Sequence, residues 1–129
     1  MRRLLLIALL ALLVAGCGGE KTVSPTGPVE GELPKAAKGN PANGKAVFTG
    51  DGGCGGCHAL QEAGTNGTTG PNLDEALQGK NADFIEEAIV NPDAEIASGF
   101  QPGIMPQDYG SQLSKQQLAD LVAFLDQAT

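Results

Sequence analysis

Large side chains are scarce in this sequence of 129 residues. It contains no tryptophan, one tyrosine, four phenylalanines and a single histidine, His58. So few large residues make a thin hydrophobic core, and a small domain with a thin core often depends on a bound group or a covalent staple. No segment alternates polar and apolar residues with period two over the length of a strand, and no internal repeat is found. We therefore expect an all-α domain without a sheet.

Long apolar runs are also lacking. The run from Leu4 to Val14 is shorter than the roughly 20 apolar residues that span a bilayer. Arg2 and Arg3 precede it and small residues follow, which predicts a signal peptide over residues 1–16. Residues 14–17, VAGC, resemble a bacterial lipobox, and this resemblance implies cleavage before Cys17 and acylation of its thiol and amino group. An ordinary secretory signal is the alternative, but it leaves Cys17 as an orphan thiol.

Basic residues are few. The sequence has eight lysines and arginines against 15 acidic residues, a net charge of −7. Cleavage after residue 16 removes two arginines and no acid, which leaves six basic residues and a charge of −9. Such a chain is unsuited to the phosphate backbone of nucleic acids or to electrostatic adhesion to anionic lipid. It suits a partner with a positive face.

The segment after the predicted cleavage site has no apolar face. Residues 17–40 contain mainly glycine, proline, small polar and charged residues, a composition that predicts a flexible, lipid-anchored tether. A coil of this length has an end-to-end distance of roughly 25–30 Å. The domain is therefore predicted to cover residues 41–129.

Three helices are predicted in this domain. Asn40 is placed as the N-cap of the first, with Pro41 at its first position, and the sequence TGDGG at residues 49–53 ends it. The second covers Asn81 to Val90, before a proline. Residues 114–117, SKQQ, form a capping box that begins the third helix. Its apolar stripe consists of Leu118, Leu121, Val122 and Leu125.

The candidate site lies at residues 54–58, CGGCH. A structural zinc site usually has four protein ligands. The domain offers three cysteine or histidine ligands, namely Cys54, Cys57 and His58, and only a carboxylate could supply the fourth. A redox dithiol expects a strand-helix-strand setting, and a disulfide would close a very small loop without using the histidine. C-x-x-C-H is the attachment signature of c-type haem, with both thiols bound covalently and His58 as the proximal iron ligand. This last interpretation is favoured.

Met105 is the one methionine after the signal segment, in QPGIMPQDYG. An ordinary core methionine is one interpretation, because methionine fills irregular gaps. However, the surrounding prolines and glycines predict a stiff loop without helical period, which suits the presentation of one sulfur to a fixed metal. We therefore predict Met105 as the sixth ligand. His/Met ligation would raise the reduction potential of the haem and close its iron to substrate.

Five segments in this order resemble a class I c-type cytochrome, of the bacterial monohaem lipoprotein type. They are GKAVF at 44–48, CGGCH at 54–58, TGPNL at 69–73, GIMP at 103–106 and LADLVAFL at 118–125. The resemblance implies three to four short helices wrapped around one haem c, held through Cys54 and Cys57. It also implies that the carbonyl of Pro71 orients His58, and that Leu121 and Phe124 cross the first helix at Gly44 and Phe48.

The sequence departs from the family pattern in two places. Phe124 stands where the family usually has tyrosine, and TGDGG at 49–53 is longer than in the mitochondrial members. The second departure concerns the path of the chain from the first helix to Cys54.

The function implied is that of an extracytoplasmic, membrane-tethered carrier of one electron at a time, expected to be a monomer and not an enzyme. A quinol-oxidising complex is the expected donor. A terminal oxidase is the expected acceptor, because residues 92–106 resemble cytochrome domains fused to oxidase subunits. A haem enzyme or gas sensor with a labile sixth ligand is the alternative. A non-haem binding module held by a Cys54–Cys57 disulfide is the third hypothesis.

Overall fold

The computed structural model describes residues 37–129. The predicted signal peptide, Cys17 and residues 17–36 of the predicted tether lie outside this part. The described chain is mostly helical, as predicted, and we number five α-helices and two strands in order. The elements are α1 Pro41–Thr49, β1 His58–Leu60, β2 Thr65–Thr68, α2 Leu73–Ala76, α3 Ala82–Val90, α4 Tyr109–Gln112 and α5 Lys115–Ala128, with a 3₁₀ turn at Cys54–Gly56.

Helix α1 begins and ends as its sequence predicts. The Asn40 side chain accepts hydrogen bonds from the backbone N–H groups of Ala42 and Asn43 at 3.0 and 3.4 Å. These are two of the donors that a helix leaves without partners in its first turn. Gly50 closes the C-terminus by donating its N–H to the Ala46 carbonyl at 2.9 Å. The chain then turns within a few residues toward Cys54.

Helices α3 and α5 also confirm their predicted starts. Asn81 caps α3 by accepting the N–H of Phe84 at 2.9 Å. At α5 both bonds of the capping box are present: Gln117 N–H donates to Ser114 Oγ at 3.2 Å, and Ser114 N–H donates to Gln117 Oε1 at 3.0 Å. Local side-chain chemistry therefore sets these boundaries.

Helices α1 and α5 cross in close contact at Gly44. A Cβ atom there would overlap the carbonyl oxygen of Asp120 and lie 2.6 Å from the Cβ of Phe124. The rings of Phe48 and Phe124 meet edge to face, with centroids 5.9 Å apart and planes at 62°. The predicted crossing is thus present, and glycine is needed at position 44 because the two backbones approach so closely.

A buried carboxylate joins the start of α1 to α5. Asp120 is 4% exposed, and its Oδ1 accepts the N–H of Asn40 at 2.7 Å and the side-chain amide of Gln116 at 2.8 Å. The Asn40 N–H, with help from Gln116, holds the pKa of Asp120 below its usual range. Gln116 also donates to the Lys38 carbonyl at 3.2 Å. The last residues of the segment interpreted as a tether therefore contact the domain.

The expectation that no sheet would form is wrong. Strands β1 and β2 pair antiparallel, with His58 opposite Thr68 and Leu60 opposite Thr65, and the register is irregular after His58. Gly64 lies in the connection at a φ of 71°, where glycine is favoured. Strands of three and four residues are too short to show a period of two, so the sequence carried no signal for them.

Two single-turn helices were also not predicted, so the described residues contain five α-helices where three to four were expected. Asn72 caps α2 by accepting the N–H of Asp74 at 3.0 Å. Tyr109 begins α4, which has no side-chain cap. One helical turn is too short for an apolar stripe to be recognised in the sequence.

The core is one cluster of buried apolar side chains from α1, β1, α2, α3 and α5. Phe48, Leu60, Ile85 and Leu121 are its most deeply buried members. Within residues 37–129, no helix is long and apolar enough to cross a membrane.

Candidate cofactor-binding site

An open cleft brings together five residues that the sequence analysis singled out. It has about 1330 Å³ of empty space, counted out to its open mouth. Cys54, Cys57, His58, Pro71 and Met105 all line it, although they come from three separate segments of the chain. The walls include core residues from three helices, namely Phe48, Ile85, Ile89, Leu121 and Leu125. The cleft therefore combines two thiols, an imidazole and a thioether with apolar walls.

Cys54 begins a 3₁₀ turn, and Cys57 follows its last residue directly. Gly53 precedes it with a φ of 61°, and the Cys57 N–H donates to the Cys54 carbonyl at 3.1 Å. This turn places both side chains at the cleft. Both thiols are free; Cys54 is half-buried and Cys57 is exposed. Burial raises the pKa of the Cys54 thiol to about 11.

The His58 imidazole is oriented by one hydrogen bond and one close backbone contact. Its Nδ1 lies 2.9 Å from the carbonyl oxygen of Pro71. Because a carbonyl only accepts, Nδ1 carries the proton, and the lone pair remains on Nε2 for a metal. A Cβ on Gly70 would lie 2.7 Å from Nδ1 and 2.9 Å from Nε2, so the chain passes directly against the ring. This arrangement restricts rotation of the imidazole.

The unpredicted hairpin supports the Cys57–His58 backbone. A Cβ on Gly67 would lie 2.6 Å from the backbone nitrogen of His58, so β2 packs directly on this segment. The Gly70 N–H donates to the Cys57 carbonyl at 2.8 Å, and Thr65 Oγ1 donates to the His58 carbonyl at 2.9 Å. The small sheet therefore holds the backbone that carries the imidazole.

Met105 is half-buried, in the irregular segment between α3 and α4. Gly103 adopts a φ of 74°, and its N–H donates to Asp93 Oδ1 at 2.9 Å. The Gln107 side-chain amide donates to the Met105 carbonyl at 3.0 Å. The loop is irregular, as predicted. The hydrogen bond between Asp93 and Gly103 had no signal in the sequence, because these residues lie ten positions apart.

A second unpredicted contact follows Met105. The Tyr109 hydroxyl donates to the Gly52 carbonyl at 2.9 Å. Burial, with the nearby thiols of Cys54 and Cys57, raises the pKa of this phenol. The bond joins positions 57 apart in the sequence, so no local pattern indicates it.

The donor set suits a haem iron better than zinc. Among residues 37–129, no group of three or more histidine, cysteine or acidic side chains is arranged to hold a metal ion. An imidazole and a thioether that line one apolar cleft are instead donor groups of the kind that a haem iron accepts. The two thiols beside the histidine fit the covalent attachment of such a group.

The fold and the cleft together define a small helical domain with a C-x-x-C-H anchor for a large planar cofactor. A family model described as Cytochrome c matches residues 41–129. The chain therefore belongs to the cytochrome c family. No curated protein sequence gave a significant match. Membership of the family identifies a haem-based electron carrier and implies covalently bound haem c; domains of this family usually work outside the cytoplasm.

Proposed function

We propose that this protein is a class I, monohaem cytochrome of the bacterial lipoprotein type, which carries single electrons between membrane complexes on the extracytoplasmic side. The observation that carries the proposal is the convergence of Cys54, Cys57, His58 and Met105 in one apolar cleft. Lipid on Cys17 anchors the chain, and the tether raises the concentration of the domain near its partners. The protein is proposed as a carrier and not an enzyme, because His58 and Met105 would both be committed to holding the iron.

Each site residue has one role in this proposal. Cys54 and Cys57 would be the two thioether attachment points of the haem, and His58 Nε2 and the Met105 sulfur would hold its iron. The Pro71 carbonyl, 2.9 Å from Nδ1, fixes the ring orientation and makes Nε2 a stronger donor. When bound, the haem supplies an iron that takes up and releases one electron. Apolar walls around it exclude water and so favour a high potential.

Intact-mass and peptide mass spectrometry of the exported protein tests covalent attachment and lipidation together. We expect the peptide containing residues 54–58 to carry one haem, and the chain to begin at an acylated Cys17. Unmodified Cys54 and Cys57, or a disulfide between them, would contradict haem attachment and favour a non-haem binding module. A haem-bearing chain without lipid would support the assignment as a cytochrome and contradict the lipid anchor.

The mouth of the cleft suggests how partners dock. Ile104 is 59% exposed and Ile96 is 37% exposed, and both line the cleft. Asp93 and Glu95 also line it, whereas none of the described lysines does. Lys80 is the lysine nearest to Asp93 and Glu95 in the sequence, but its Nζ forms an ion pair with Oε1 of Glu95 at 3.3 Å. We therefore propose a partner with an apolar patch bordered by basic residues, on a quinol-oxidising complex as donor and a terminal oxidase as acceptor.

The rate of electron transfer with such a partner is expected to fall as salt rises. The Debye length shrinks from about 30 Å at 0.01 M to about 10 Å at 0.1 M salt, so attraction between opposite charges is screened over that range. Stopped-flow kinetics with a purified complex gives the second-order rate constant. Glu95→Gln should flatten the salt dependence, whereas Asp126→Asn, at an exposed position on α5 outside the cleft lining, should not. A rate that is flat or rises with salt would mean that docking is apolar.

A further inference from the structure

Two hydrogen bonds hold the segment that carries Met105, one on each side of it. Before it, Asp93 binds the N–H of Gly103, but Asp93 belongs to the same irregular segment. After it, Tyr109 binds the carbonyl of Gly52, in the chain that leads into the cysteine anchor. Among residues 37–129, this is the one hydrogen bond that joins residues 91–112 to residues 49–58. Tyr109 thus connects the methionine side of the cleft to the histidine side.

Gly52 is held in place by its burial and by a backbone hydrogen bond. It is buried, and its N–H donates to the Val47 carbonyl at 2.8 Å, which ties it to the last turn of α1. Its own carbonyl lies 3.6 Å from the Cys54 sulfur as well as 2.9 Å from the Tyr109 hydroxyl. The Tyr109 ring is partly buried and packs against the core cluster. A displacement of Tyr109 therefore requires either movement of a buried segment or loss of this bond.

We propose that Tyr109 is a positioning residue for the sixth ligand: by binding the Gly52 carbonyl, it holds the loop in the conformation that keeps Met105 on the iron. The inference rests on the proposed role of Met105 and adds the residue that keeps this ligand bound. Gly52 lies in the TGDGG segment, which the mitochondrial pattern does not match in length.

The mechanism is a shift of population. Tyr109 lies four residues after Met105, and Pro106 in between limits the bending of the chain. When the bond to Gly52 is absent, conformers with the loop displaced and the sulfur off the iron gain population. Tyr109 itself does not touch the iron in this proposal, so its effect is on ligand exchange.

Titration of the ferric holoprotein with imidazole measures this effect, because imidazole binds only when Met105 leaves. Tyr109→Phe removes one oxygen and keeps the ring. Its apparent affinity for imidazole should rise roughly two- to tenfold, the effect of one net hydrogen bond. Ser111→Ala is the matched control, because it removes a hydroxyl from the same helix that donates only to the Asp108 carbonyl, at 2.9 Å. It should leave the affinity unchanged.

Replacing tyrosine by 3-fluorotyrosine gives a test that does not depend on folding of the Phe variant. Tyr109 is the only tyrosine in the sequence, so labelling of the whole protein changes this one position. The more acidic phenol is a stronger donor, and the affinity for imidazole should fall. An affinity that stays equal to that of the unlabelled protein counts against the proposal.

The outcomes separate this inference from the proposed function. If the ferric wild type lacks the far-red absorption band of iron–sulfur ligation, Met105 is not the ligand and both proposals fail. If that band is present and Tyr109→Phe binds imidazole like wild type, the role of Tyr109 alone is overturned. A Phe variant with a lower free energy of unfolding but unchanged imidazole affinity shows a purely structural bond, which also overturns it.

Discussion

Replacing Cys57 by serine is expected to leave little stable holoprotein and a largely unfolded domain. The cleft of about 1330 Å³ is lined by buried residues such as Phe48, but also by apolar side chains that are only partly buried, namely Phe84, Phe100 and Met105. Without a bound group, this part of the apolar lining faces water. Domains have a net stability of about 5–15 kcal/mol, so loss of burial over a cleft of this size removes a large part of it.

The covalent haem content and the helical circular dichroism signal, both taken per mole of protein, measure the effect of Cys57→Ser. Gly56→Ala is the matched control, because it changes the residue next to Cys57 and a Cβ there meets no atom within 4 Å. Gly56→Ala should retain both haem and helicity. A well-folded, haem-free Cys57→Ser domain would show that the eleven buried apolar residues of the core cluster suffice to fold it.

Replacing Met105 by alanine is expected to keep the haem attached and open its sixth position. The anchor residues Cys54, Cys57 and His58 remain, so only the thioether ligand is lost. The reduction potential should fall by roughly 0.1 V or more, within the range of about 0.8 V that axial ligands set. Carbon monoxide should then bind the ferrous form readily. Potentiometry and carbon monoxide titration measure the two effects.

Ser98→Ala is the control for the methionine variant. Ser98 lies in the same irregular segment as Met105, is exposed and does not line the cleft, so its replacement changes the surface of this segment without changing a ligand or a wall of the site. It should leave the potential and carbon monoxide binding close to those of wild type. If wild type binds carbon monoxide as readily as Met105→Ala does, Met105 is not a firm ligand, and a haem enzyme or gas sensor becomes the better interpretation.

Local signals in the sequence were sufficient to predict the main helices and the family. Asn40, Asn81 and the capping box at Ser114 mark helix starts, because a side chain there binds backbone groups two or three residues away. The C-x-x-C-H spacing likewise depends on neighbours in the chain, so the family could be recognised from short motifs in order. The acidic net charge follows from composition alone.

The tertiary structure decided how those parts meet. Hairpin β1–β2 forms from segments too short to show a strand pattern, and Gly70 lies against the His58 ring only after the chain has folded back. In the sequence, nothing distinguishes Asp120 from other polar residues of a helix, yet its carboxylate accepts the backbone N–H of Asn40, 80 positions away. The bond from Tyr109 to Gly52 spans 57 positions. Such contacts depend on helix crossing and chain reversal, and a local sequence pattern does not encode which distant backbone group will lie within reach.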